Sequence, residues 1–181
     1  MATSRKIPRQ LRRAIEAEQG ERVLAAQQDV SERWHVGTDA ALHLAADADH
    51  VRVPWEQVES LSWDAEAATV TVQWGSGEAI RRDVVAFADS GRLVELARER
   101  VDASIIARAD ERVGDGRDTV TVVARRSPAR RGPITYSYVL DQGLSSDDIQ
   151  VQEAAARALA SVQDDLGVRG RAGADGVDEV R

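Results

Sequence analysis

Leu61-Ser62-Trp63-Asp64-Ala65-Glu66-Ala67-Ala68-Thr69-Val70-Thr71-Val72-Gln73-Trp74 carries two alternating apolar runs separated by one short polar break. Leu61 and Trp63 share one face of the first run, and Val70, Val72 and Trp74 share one face of the second. Period-two alternation bounded by turn residues marks half-buried antiparallel strands. Upstream, Val23 to Ala26, Trp34 with Val36, Leu42 with Leu44, and Val51-Val53-Trp55 repeat the pattern. Their breaks hold Asp29 with Ser31, Gly37 to Asp39, and Asp47 to His50, all turn-forming chemistry. Downstream, Ala79 to Val85 reads as a seventh strand. The period then changes: after Ser90, a helix N-cap residue, Leu93, Leu96, Ala97 and Val101 recur at helical spacing. Seven short strands and one amphipathic helix are therefore expected.

The pattern restarts on a smaller scale. Ser104 to Ala109, Thr119 to Arg125 and Ile134 to Leu140 read as a three-stranded meander, and a capping box at Ser145 to Asp148 opens a helix running to Gly167. Ahead of the first strand, Pro8 to Gln19 reads as a short helix stopped by Gly20. The fold class is α+β, divided into a basic helix (1–20), a seven-stranded half with its helix (21–103), a strand-strand-strand-helix half (104–167) and a disordered tail (168–181).

Composition narrows the function. The 181 residues are 43% hydrophobic and 30% charged, an ordinary globular balance. Neither a secretory signal nor a run of about 18 apolar residues is present, so a cytoplasmic protein is expected. Cys is absent, which removes disulfides, thiolate nucleophiles and Cys-ligated metals. With 24 basic and 31 acidic residues, net charge -7, no general attraction to nucleic acid is expected.

Trp34-His35-Val36-Gly37-Thr38-Asp39-Ala40-Ala41-Leu42-His43-Leu44 resembles the second hairpin of bacterial pleckstrin-homology-like (PH-like) and GRAM-like domains, and Val51 to Glu59 is similar to the segment entering their next strand. The chain as a whole resembles a group of uncharacterised actinobacterial proteins in which a PH-like half precedes a smaller strand-and-helix half. The resemblance implies a small antiparallel β-barrel capped by its C-terminal helix, with a groove or free sheet edge for a protein partner. Ala41 stands where the family pattern usually has Arg, and the loop Gln27 to Arg33 is not basic, so phosphoinositide binding is not implied.

Arg125, Arg126, Arg130 and Arg131 form the strongest basic cluster, on a loop whose functional reading is an anion or acidic-partner contact. Charge runs more often face solvent without a partner. Arg5, Lys6, Arg9, Arg12 and Arg13 make a second patch beside Ile7, Leu11 and Ile15, a weak membrane-surface candidate without an aromatic anchor. His43, Asp47, Asp49 and His50 are the one metal-like constellation, read here as turn formers and strand residues rather than ligands. Nothing resembles a nucleophile elbow or a phosphate loop, so neither catalysis nor a cofactor is expected. Four Trp outnumber the other aromatics. Most should be core, and an exposed one would mark a partner patch, with Trp34 and Trp55 the candidates. The expectation is a non-catalytic protein-interaction module, with peripheral binding to anionic membranes as the alternative and self-association as a homodimer left open.

Overall fold

The computed structural model describes residues 6–75, 79–129 and 132–168. The described residues form an α+β fold with three antiparallel sheets and three α-helices. The chain divides into two compact units, Met1–Ser104 with Arg126–Ile134, and Ile105–Arg125 with the chain from Thr135 onward.

In the first unit, α1 (Arg9–Gln19) starts after Pro8 and stops at Gly20, whose φ of 62° suits a residue without Cβ. β1 (Val23–Gln28), β2 (Trp34–Thr38), β3 (Ala41–Leu44) and β4 (Val51–Pro54) follow as a meander in sequence order. β5 (Val58–Asp64), β6 (Thr69–Trp74) and β7 (Arg81–Ala86) make a second meander, and α2 (Gly91–Ser104) follows. The seven strands and the helix thus fall in the expected order.

The expected barrel does not close. Pro54 ends β4 without a backbone donor, and a 3₁₀ turn at Trp55–Gln57 separates the two sheets. At the other end, Val30 N–H to Ala86 O (2.9 Å) links the β1–β2 turn to β7.

Both faces of β2 and β3 are covered, which is why neither shows the expected alternation of exposure. On one side Val36 packs with Ile15 of α1 and Val23. On the other, Leu42 and Leu44 join Val53, Trp55, Val70, Val72, Phe87 and the α2 residues Leu93, Val94, Ala97 and Val101 in the main core. Gly37 leaves room for α2, since a Cβ there would lie 2.7 Å from Leu96 Cδ2. Burying a Leu or Val side chain contributes about 1.5–3 kcal/mol, so this shared cluster is the chief stabilising element of the unit.

In the second unit, β8 (Ile105–Arg112), β9 (Thr119–Arg125) and β10 (Thr135–Leu140) form a sheet in the order β10-β9-β8. α3 (Ile149–Asp165) places Val151 and Ala154 against Val113 and Val120. Ser104, expected to begin a strand, instead ends α2, its hydroxyl donating to Val101 O. Of the tail expected to be disordered, 168–181, only Val168 is described, its N–H donating to Gln163 O (2.9 Å); residues 169–181 lie outside the described residues. Among the described residues, no helix is long and apolar enough to cross a membrane.

Candidate functional site

The residues foreseen as contacts are mostly elsewhere than expected. Trp34 is buried at the start of β2, and Trp55 is fully buried, its Nε1–H donating to Thr38 O (3.1 Å). Neither forms a partner patch: both are buried, and Trp55 belongs to the main core with its indole N–H satisfied. Arg125 is buried on β9, so its guanidinium does not project into solvent, whereas Arg126 is exposed. Arg130 and Arg131 lie outside the described residues. The two arginines of this cluster that are described are therefore not exposed together.

What the fold does assemble is a buried polar chain. Glu21 follows the α1 stop, Thr38 ends β2, His43 sits mid-β3, and Arg52 lies opposite His43 in the β3–β4 register. Glu21 Oε2 accepts from the Thr38 hydroxyl and from His43 Nε2 at 2.9 Å, and Oε1 accepts from Arg52 Nε at 2.7 Å and from Arg52 Nη2. His43 Nδ1 lies 2.8 Å from His50 Nε2, the two rings stacked at 22°. Because a carboxylate can only accept, His43 carries its proton on Nε2 and offers a lone pair at Nδ1, to which His50 donates. The chain runs from exposed His50 through fully buried His43 to buried Glu21.

Its electrostatics follow from burial against pairing. Burial is the largest effect on Glu21 and would raise its pKa, but hydrogen bonds from Thr38, His43 and Arg52, with the Arg52 charge, together hold it below the ordinary carboxylate value. For His43 burial dominates, and the pKa is lowered despite the Glu21 carboxylate. The imidazole between them is neutral.

A second buried pair organises the β1–β2 turn. Asp29 Oδ1 accepts the backbone N–H of Ser31 (2.8 Å) and Arg33 (2.9 Å), while Oδ2 accepts from Arg33 Nε (2.9 Å) and His35 Nε2 (3.2 Å). Burial lowers the His35 pKa, and its Nδ1 accepts the Ala45 N–H at 3.4 Å. This is turn architecture.

Neither cluster is arranged for metal or nucleophilic chemistry. Two imidazole nitrogens 2.8 Å apart share a hydrogen, whereas two on one tetrahedral zinc would stand roughly 3.3 Å apart, given Zn–N bonds near 2.0–2.1 Å. Asp47 uses Oδ1 to accept the Trp34 N–H, and among the described residues no group of three or more His, Cys, Asp or Glu is placed to hold a metal ion. The Thr38 hydroxyl is buried and accepts the N–H groups of Ala40 and Ala41, so it is no nucleophile. Between the two sheets, a gap lined by Leu42, Leu44, Val72, Val85, Phe87 and Leu93 has room for little more than one water-sized body.

Sequence reasoning named His43 and His50 but missed Glu21, Thr38 and Arg52. The available signal was polar: His43 and Thr38 interrupt otherwise apolar strands, and Arg52 faces His43 in any β3–β4 hairpin with this register. No protein-family model, curated protein or solved structure matches this chain.

Proposed function

We propose that the protein is a non-catalytic interaction module whose first unit has a PH-like arrangement and adds an extended segment of a partner protein to the outer edge of β7. Support for the PH-like reading comes from the four-strand and three-strand meanders in sequence order, followed by α2, whose apolar face completes the core they share. The observation that carries the binding reading is the bond from Val30 N–H to Ala86 O. It marks Ala86 as outward-facing on β7, and alternation makes Val84 and Arg82 outward-facing too. Phe87 N–H bonds Ala68 O on the inner side, as the same alternation requires.

Ala86 O is already taken by the Val30 N–H, so the template for an added strand is the outward backbone groups of Val84 and Arg82. Ile80 and Val84 are 53% and 55% exposed, and Arg82 is exposed beside them, a neighbourhood suited to an extended segment with apolar and acidic residues. The membrane alternative is weaker, because Ile15 of α1 is buried against Val23 and Val36, with Ile7 and Leu11 packed onto the same cluster. That leaves the basic helix little apolar surface to insert.

Val84→Pro removes one outward N–H while leaving the β6–β7 bonds in place, a substitution edge strands tolerate. A protein retained in near-stoichiometric amount by the wild type and lost by Val84→Pro, with an unchanged circular dichroism melt, is the expected result of quantitative capture. Retention of no protein, or of one indifferent to Val84→Pro, would refute the reading.

A further inference from the structure

The described residues place two imidazoles in direct hydrogen bond, one fully buried on β3 and one exposed at the end of the β3–β4 turn. We propose that His43 and His50 act as one proton-binding unit, a pH-sensitive latch that holds the 45–50 turn closed on the Glu21 corner with at most one added proton and releases it when a second is bound. The inference concerns a different part of the first unit from the β7 edge and does not depend on that reading.

At 2.8 Å, the Nδ1 of His43 and the Nε2 of His50 have room for one hydrogen between them. In the neutral pair His50 donates it and His43 accepts. A first added proton goes to the remaining nitrogen of His50. The contact survives and becomes charge-assisted, with the positive charge carried along the chain toward Glu21. A second added proton has to occupy His43 Nδ1, setting N–H against N–H, and the contact must open.

The surroundings decide which part moves. His43 is held by Glu21 ahead of β1, with Thr38 at the end of β2 and Arg52 on β4 completing the cluster, and a doubly protonated ring binds Glu21 more strongly. The side that yields is therefore His50 and its turn. That turn carries Asp47, committed to the Trp34 N–H, and exposed Asp49, and it starts at Ala45 with a φ of 44°, a left-handed conformation unfavourable to a residue bearing a Cβ. Its first half is tied to Trp34 by the Ala46 N–H to Trp34 O bond (2.7 Å) as well as by Asp47, so the part suited to opening is the His50 end, held by the imidazole pair.

Imidazole nitrogen and backbone amide NMR across a pH titration of the full chain tests this. The ring signals of His43 and His50 should share the same two midpoints, because coupled groups titrate as a pair. Amides 45–50 should shift chiefly with the lower midpoint. In His50→Ala, altered only at an exposed ring, His43 should titrate in a single step and the turn amides should lose that response. Independent one-step curves for the two rings in the wild type would overturn the proposal, as would turn amides that respond identically in His50→Ala. Should the wild type lose its folded spectrum before the second step, while His50→Ala does so at the same pH, the latch is likewise refuted.

Discussion

Glu21 ties three strands of the first unit together through one carboxylate. Its two oxygens accept from a hydroxyl, an imidazole and a guanidinium on three different strands. Glu21→Gln keeps the volume but turns one acceptor into a donor, so the new amide N–H must face either Arg52 or the Thr38 and His43 donors. Losing a buried charged acceptor costs about 3 kcal/mol, with Arg52 partly solvated and able to recover some of it. Urea unfolding of Glu21→Gln should show that loss, and a change below about 1 kcal/mol would mean the carboxylate is not the anchor described. The site was only half legible in the sequence, since 22 and 31 residues separate Glu21 from His43 and Arg52. No local spacing rule spans that distance. Register alone brings them together.

Elements were easier to read than side-chain partners, because strand and helix periods are local. β5 and β6 pair as the opening stretch predicts, with Leu61 opposite Val72 and Trp63 opposite Val70. The reading failed where tertiary cover overrode the local pattern: β2 and β3 are buried on both faces, and Trp55, read as a strand residue, begins the 3₁₀ turn after Pro54. Helix α3 starts later than the first Ser of its capping signal, since Asp148 is the residue that caps, its carboxylate accepting the Gln150 N–H at 2.8 Å. Asp148→Ala should therefore destabilise the second unit by about 1 kcal/mol, and Asp148→Asn, which keeps an acceptor oxygen, by much less. Equal effects of the two in thermal unfolding would place the cap elsewhere, with Ser145 the alternative.

At the scale of the whole molecule, the buried titratable groups make stability depend on pH in one direction. His35 and His43 both have folded pKa values lowered below 6.5, with burial the largest cause in each. The unfolded chain therefore binds protons that the folded chain refuses as pH falls below 6.5. Each refused proton costs at most about 1.4 kcal/mol per pH unit, so the slope from the two together has a ceiling of about 2.7 kcal/mol per unit. Glu21 and Asp29 continue the trend, because their folded values are also lowered, from 4.5 and 3.8, and their contribution fades below those values. Stability should thus be steady above pH 7, fall from about pH 6.5 and keep falling through the carboxylate range. Chemical unfolding at half-unit steps from pH 8 to pH 5 measures the slope directly. A flat profile across that span would mean that both rings gain protons in the folded state, contrary to their burial. His35→Gln, which retains a donor toward Asp29, should remove about half the slope while leaving the β1–β2 turn in place.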